Sequence, residues 1–404
     1  MDNVTASGFA PPMSVALKIS NRDARRLWLD ASGLGPTPTG PLDLMQMIRR
    51  LGFVQIDTIR NVTRAHNHIL WSRNQSYREG MVWSALSDRQ IFEHFTHDAS
   101  LIPTEFFAYW GRQFRRLSAK TRASDWYKHG LGITAHDEIK ARIQADGPLS
   151  THAFDTKVSS REMWARPPHK KALDLMWYSG ELATSHRENF VKYYDLGHRI
   201  FPHDPLDGAA SDAAQLNWLC HAAMDRMGIA TLGEVQRFWG AATSVEVRSW
   251  AAETPDLVPV EILDATGAPV RAVATADIET RLATAPAPSS RLRLVNPFDP
   301  TIRERPRTAR LFGFDYRNEM FVPKSQRIWG YYVYPLLEGD RFVGRLEAKG
   351  DRKTSTLTAT GFWSEPGCEW SPGRGQKLAA ELARFARLAG LATVTWDCPA
   401  PPGA

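Results

Sequence analysis

Apolar residues recur at helical spacing early in the chain. After a polar stretch to about Ile19, Ser20 or Asn21 is placed to cap a helix over RDARRLWLDASGL. Ala24, Leu27 and Leu29 return along it, and Gly33 ends it. A turn over Pro36 to Gly40 leads to a second helix opened by Pro41, with Leu42, Leu44, Met45 and Ile48 on one face and Gly52 at its end. FVQIDTI then alternates. Phe53, Val54, Ile56 and Ile59 turn inward, and Gln55 and Asp57 share the other side of an extended segment. HNHILWSR reads as a strand, and SDRQIFEHFTH as a helix capped by Ser87.

Further on, the pattern repeats in kind but at no fixed period, which excludes a solenoid. Residues 134–155 predict a helix, a turn at Gly147-Pro148 and a short helix started by Ser150. Residues 169–187 predict a helix broken at Gly180, and 217–240 a helix, a turn at Gly228 and a helix capped by Thr231. Helix, tight turn and capped helix is helix-turn-helix grammar. VPVEILDATGAPVRAV adds two alternating strands joined at Ala265-Thr266-Gly267, a hairpin of the size of a wing. Beyond the Pro/Ala/Ser linker at 283–290, RLRLVN, MFVPK, IWGYYVYPLL, DRFVGRLEAK and TSTLTATGFW read as strands, followed by a closing helix and a last strand, LATVTW. The predicted class is α+β, with tandem winged-helix modules followed by a small barrel-like β domain. The expected organisation is a polar tail (1–20), modules over 21–135, 136–210 and 211–285, and the β domain over 291–404.

Composition narrows the function classes. With 404 residues, 43% hydrophobic and 23% charged, the chain has the means to bury a core and is not broadly disordered. The first twenty residues show no signal peptide, and no stretch approaches 18 uncharged apolar residues. Three cysteines without a C-x-x-C pair suit a reducing compartment and exclude a zinc ribbon. The expected setting is therefore cytoplasmic and away from membranes. On that basis the Asn-x-Ser/Thr matches at Asn3, Asn61 and Asn74 are chance.

The net charge of +6 matters through its distribution. No acidic residue lies between Asp57 and Glu79, where Arg60, Arg64, Arg73 and Arg78 stand with His66, His68, Trp71 and Tyr77. A second basic run holds Arg112, Arg115, Arg116, Lys120 and Arg122, and a third Arg341, Arg345, Lys349, Arg352 and Lys353. Basic runs interleaved with aromatics suit phosphate contacts and base stacking. Asp57 is out of place on such a surface. It either pairs with Arg60 to order the surface or stands where positive charge develops in a reaction.

The stretch L-G-F-V-Q-I-D-T-I-x(10)-L-W-S-R (Leu51–Arg73) resembles the YcaQ-like branch of the AlkZ/YcaQ bacterial DNA glycosylases. HDASLIP (97–103), KKALDLMWYSGEL with YYDLGHRIFP, NPFDP (296–300), RLFGFDYRNEMFVPKSQRIWGYYVYPLL and VGRLEAKGDRK are similar too, in one order from about residue 22 to 355. The resemblance implies tandem winged helices and a β-barrel around a basic concave surface, with Gln55-Ile56-Asp57 as the catalytic triplet. It implies hydrolysis of alkylated purines, notably N7-alkylguanine, and unhooking of interstrand crosslinks. The chemistry is coherent: a cationic N7-alkylguanine already leaves well, so Asp57 has only to stabilise an oxocarbenium-like sugar and act as base, while Gln55 orients water. No lysine nucleophile accompanies the triplet, so the expected enzyme is monofunctional. The expected DNA contacts are Arg60, Arg64, His66, His68, Trp71, Ser72, Arg73, Lys170, Arg327, Lys349 and Arg352. Trp71, with His66 and His68 on an expected hairpin, either probes the lesion or anchors the core.

Other constellations are weaker. His66-x-His68 and His94-x-x-His97-Asp98 lack the support of a metal motif, so neither a metal nor a cofactor is expected. Asp299 in NPFDP and Asp315 in FGFDY suit turns, and Ser72, Ser179 and Ser185 have no nucleophile elbow. The expected partner is double-stranded DNA, alkylated or crosslinked, bound by a monomer. The alternative is a non-catalytic winged-helix transcriptional regulator, usually a dimer on a two-fold site.

Overall fold

The computed structural model describes residues 16–127, 133–154, 167–203 and 210–404. Along it the chain runs β1 (Leu17–Ile19), α1 (Asn21–Ala31), α2 (Leu44–Leu51), β2 (Val54–Gln55), α3 (Ala65–Arg73), α4 (Met81–Ser87), β3 (Ile91–Phe95), β4 (Ala99–Pro103) and α5 (Gly111–Arg122). Next come α6 (Ile133–Asp146), β5 (Leu149–Ser150), α7 (Pro168–Ser179), β6 (Leu182–Glu188), β7 (Val191–Leu196) and α8 (Gly197–Ile200). A third stretch holds α9 (Asp212–Met227), β8 (Ile229–Ala230), α10 (Leu232–Trp239), α11 (Ser244–Glu253), β9 (Val258–Leu263), β10 (Pro269–Ala274) and α12 (Ile278–Thr284). The remainder is β11 (Leu292–Leu294), α13 (Pro300–Arg303), α14 (Arg305–Phe312), β12 (Val333–Glu338), β13 (Arg341–Asp351), β14 (Thr356–Ser364), α15 (Pro372–Leu388) and β15 (Thr393–Trp396).

One topology occurs three times. Helix, two-residue strand, further helical turns and a hairpin recur as α2–β4, α6–β7 and α9–β10. In each, the short strand pairs with the second arm of the hairpin: β2-β4-β3, β5-β7-β6 and β8-β10-β9. Local chemistry sets the helix ends. Asp43, Thr231 and Thr243 accept from backbone N–H groups at their helix starts, the two threonines in full capping boxes, and Gly180 closes α7 at φ 83°. The polar stretch before α1 is strand at its end: β1 pairs in parallel with β9, far along the chain.

Two elements in the first unit differ from the sequence pattern. Residues 65–73 are helix α3, not a strand, and all nine are buried. The helix lies between the first unit and the C-terminal sheet, sharing one core with Leu294, Tyr334 and Phe385. With both sides covered, no polar stripe remains to reveal a 3.6 period. Residues 91–95 are strand, not helix, because α4 stops at Ser87 and Arg89 turns the chain at φ 59°. Ile91 to His94 are buried on both faces, which erases strand alternation in the same way.

Smaller differences follow similar logic. The second helix begins at Leu44, with Asp43 as its cap, rather than at Pro41. The short helix after Ser150 is one 3₁₀ turn, Thr151–Ala153, and the rest of that expectation lies outside the described residues. Beyond Gly180 the chain enters a strand, β6. MFVPK belongs to the α14–β12 loop, not to a strand. The C-terminal sheet runs β11-β12-β13-β14-β15 and is open, since no pairing joins β11 to β15; α15 packs against both edge strands instead.

Buried ion pairs join the units. Glu93 on β3 takes a bidentate contact from Arg187 on β6 (2.7 Å to each oxygen) and one from Lys192 on β7 (3.0 Å). Burial alone would raise the Glu93 carboxyl, but the two cations outweigh it and hold it well below the usual range. No helix among the described residues is long and apolar enough to cross a membrane.

Candidate active site

Gly52, at φ 84°, reverses the chain between α2 and β2, and a Cβ there would press on Arg226 and Trp239. Val54 and Gln55 then pair with Leu101 and Ser100, and the Ile56 N–H donates to the Ala99 carbonyl (2.9 Å). This register sets Gln55 beside the β3–β4 turn, which carries His97 and Asp98. Gln55 is buried (3% exposed) and its amide is held at both ends. Its Nε2 donates to the Asp98 carboxylate (3.3 Å), and its Oε1 lies 3.0 Å from His97 Nε2. For that contact to bond, His97 must carry its proton on Nε2, leaving Nδ1 to accept from the Thr96 hydroxyl (3.1 Å). Desolvation, reinforced by Arg303, pushes the His97 imidazole down, so it is neutral near pH 7. One amide hydrogen and one lone pair of Gln55 stay free for a water.

Asp57 lies just past the strand and is half-buried. Its carboxylate accepts the Ile59 N–H (2.7 Å), as Asp98 accepts the Ala99 N–H (2.8 Å). Burial raises both carboxyls, with the backbone bonds opposing it, and the Asp57 charge raises Asp98 further. A raised carboxyl on the clamped amide, with a second raised carboxyl acting on the first, suits general-base chemistry. Gln55, His97 and Asp98 line an open cleft of about 610 Å³ together with Phe298, Tyr316 and Asn318, whereas Asp57 is not among the residues that line it. A larger cleft of about 740 Å³ beside α1 and α2 contains none of these groups. Its arginines Arg49 and Arg50 are paired with Glu105 and Asp30, so it is secondary on chemical grounds.

Other expected site residues divide between core and surface. His66, His68, Trp71, Ser72 and Arg73, expected at the DNA, are buried in α3 and present no face to a phosphate. His68 Nε2 is 3.1 Å from the Leu294 carbonyl, and its ring packs on Phe385 at 4.4 Å. His66 stacks on Phe190, and desolvation takes both imidazoles down to about 3. Trp71 is the core anchor. Arg73 bonds the Ser32 and Ile69 carbonyls and pairs with Asp299, itself fully buried and capping α13. The L-W-S-R and N-P-F-D-P stretches thus bolt together, and the cap they form holds Phe298 at the cleft. Among the described residues no three His, Cys, Asp or Glu side chains gather as a metal site would require.

The basic residues that remain at the surface are more informative. Arg60 pairs with Glu79 (2.8 Å), Arg64 lies over the Phe190 ring (4.2 Å), and Arg352, on the β13–β14 turn, donates to the Val62 carbonyl (2.8 Å). Desolvation and then repulsion by Arg60, with Arg187 and Arg352 contributing, lower Arg64. Lys349 is exposed on β13, and Arg327 is part of the α14–β12 loop. Lys170 is half-buried in the first turn of α7, away from the cleft lining. Sequence reasoning missed His97 and Asp98 as partners of Gln55, weighing them only as metal ligands. The HDASLIP stretch was visible, but the β2–β4 register that brings it to Gln55 was not.

The family model described as DNA glycosylase AlkZ-like matches residues 48–388. The chain belongs to the AlkZ-like DNA glycosylase family. Among solved structures it is similar to the Streptomyces sahachiroi DNA glycosylase AlkZ, with a TM-score of 0.63 over 94% of this chain and 99% of that one, at 17% identity. At that identity the likeness is one of fold.

Proposed function

We propose that the protein is a monofunctional glycosylase that removes N7-alkylguanine from double-stranded DNA, interstrand crosslinks included, and acts as a monomer. The observation that carries this reading is the clamped amide of Gln55, held by His97 and Asp98, with the raised carboxyl of Asp57 two residues further along the chain. Water held by the free N–H and lone pair of Gln55 attacks the anomeric carbon, and Asp57 takes its proton. The purine departs with the electron pair of the glycosidic bond, which cancels its positive charge, so no strong general acid is needed. Neutral His97 fits that demand. The Asp57 charge also opposes the positive charge that develops on the sugar.

Width supports a bulky substrate: the cleft is open rather than a closed base pocket. The three like units are read as winged-helix modules over about 21–135, 136–210 and 211–285, ahead of a β domain over 291–404. Arg60, Arg64, Arg352 and Lys349 would meet phosphates next to the cleft, with Arg327 and Lys170 as further contacts. The cytoplasm, at the nucleoid, is the matching setting. The test is product analysis. Duplex carrying one N7-methylguanine should yield the free base and an abasic site without strand cleavage, and a crosslinked duplex should be unhooked. Binding without base release from either substrate would instead favour a non-catalytic regulator.

A further inference from the structure

Six large apolar side chains are exposed among the described residues, and three of them, Phe321 (84%), Ile328 (71%) and Tyr331 (37%), fall in the loop between α14 and β12. Single exposed apolar residues are ordinary, but three on one loop are not. The loop is fixed from within. The buried Glu319 carboxylate accepts the N–H groups of Ile328 (3.0 Å), Trp329 (2.7 Å) and Gly330 (3.1 Å). Arg327 donates to the Val322 carbonyl (2.8 Å), and its guanidinium lies 5.1 Å from the Tyr331 ring centre. Trp329 is held by the Arg345 guanidinium at 4.5 Å and by the edge of Trp363. Phe321 and Ile328 therefore project from a preorganised base, with their apolar surface left in water.

Both ends of the loop border the active site. Asn318 lines the same cleft as Gln55 and Asp98. Tyr332 follows the loop, and its phenol is raised by desolvation first, with the Asp57 charge among the further causes. Arg317 and Lys324 add exposed positive charge beside the apolar tips, and Arg327 is half-exposed. Rigid apolar tips, flanking cations and a position at the mouth of the cleft together match a duplex. Apolar wedges that part a base step cost a few kcal/mol of stacking and are repaid by contacts that the distorted DNA allows.

We infer that residues 319–331 form a wedge that enters the duplex at the lesion, with Phe321 and Ile328 parting the adjacent base step and Lys324 and Arg327 meeting the flanking phosphates. The inference rests on the glycosylase reading only in taking DNA as the substrate. The wedge acts on base stacking and is independent of the Gln55–Asp57 chemistry. Phe321 and Ile328 contribute little to folding, because most of each side chain is already in water.

The test separates the two ideas. The Asp57→Asn chain is bound to a duplex with 2-aminopurine next to an N7-methylguanine, so that unstacking is read as fluorescence without turnover. Binding should raise the signal several-fold, and Phe321→Ala/Ile328→Ala in the same chain should abolish most of the rise. Phe321→Trp should keep it, as should Val245→Ala, which trims an exposed apolar residue on α11. In the wild-type background the double variant should lose about tenfold or more in excision from a paired duplex, and less than about threefold when the lesion sits in a mismatch bubble already unstacked. Equal losses on the two substrates, or a fluorescence rise that survives the double variant at full occupancy with an unchanged melting point, would overturn the wedge. Failure of the wild type to release any base would overturn the glycosylase reading and leave the fluorescence result standing.

Discussion

At the scale of single residues, the site works against its own stability. Burial raises the Asp57 carboxyl above its unfolded value, so the folded chain holds that proton more tightly than the unfolded chain does. The stabilisation this gives is complete at low pH and is lost as pH rises through the folded pKa. Asp57→Asn should therefore raise the melting temperature at pH 7, and the advantage should fade as acid protonates the wild-type carboxyl. A melting series over pH checks the sign. The same raised carboxyl must be ionised to act as base. The acid limb of the excision profile should then rise at a higher pH than an ordinary carboxylate would give, and a profile flat through that range would exclude Asp57 as base. His97 acts through Gln55: His97→Ala should lower kcat/KM by about tenfold and leave the acid limb in place, since positioning and not ionisation is lost.

Elements show what a sequence pattern can and cannot disclose. The amphipathic α1 and α2, the capped α10 and the β9–β10 hairpin were legible, because one face of each meets water and imposes its period on the apolar residues. Helix α3 and strand β3 were not, because both are covered on two sides. For α3 the consequence is large: Arg73 belonged to a basic run without acidic residues in the sequence and is a structural cation. Arg73→Met would leave Asp299 buried and unpaired, and should cost about 3–5 kcal/mol in chemical denaturation. Arg60→Ala touches an exposed pair and should cost less than about 1 kcal/mol. Similar losses for the two variants would return Arg73 to the surface. The triplet itself was legible as residue types. The clamp on Gln55 was not, since it depends on pairing between strands more than forty residues apart.

Across the whole molecule, distant stretches converge on one face. The Gly350 N–H donates to the Asn61 carbonyl (3.0 Å) and Arg352 to Val62, which brings the β13–β14 turn over the segment that follows the triplet. Arg60, Arg64 and Arg352 are drawn together by that contact against their mutual repulsion. Glu79, paired with Arg60, offsets part of that repulsion and leaves the cluster net positive. Each change of Arg60 or Arg352 to Ala should reduce the slope of log K against log salt by roughly one, whereas the buried Arg73 makes no such contribution. A slope unmoved by both surface changes would place DNA elsewhere. Asp57 precedes Arg60 by three residues, and since Arg60 pairs with Glu79 the Asp57 charge is left for the proposed catalytic role. Single-turnover excision of N7-methylguanine by wild type and Asp57→Asn, with DNA affinity measured alongside, tests that role. The expected result is a rate about 100-fold lower or more for Asp57→Asn, with DNA bound as tightly or more tightly. Equal excision rates for the two chains would contradict a catalytic role for Asp57.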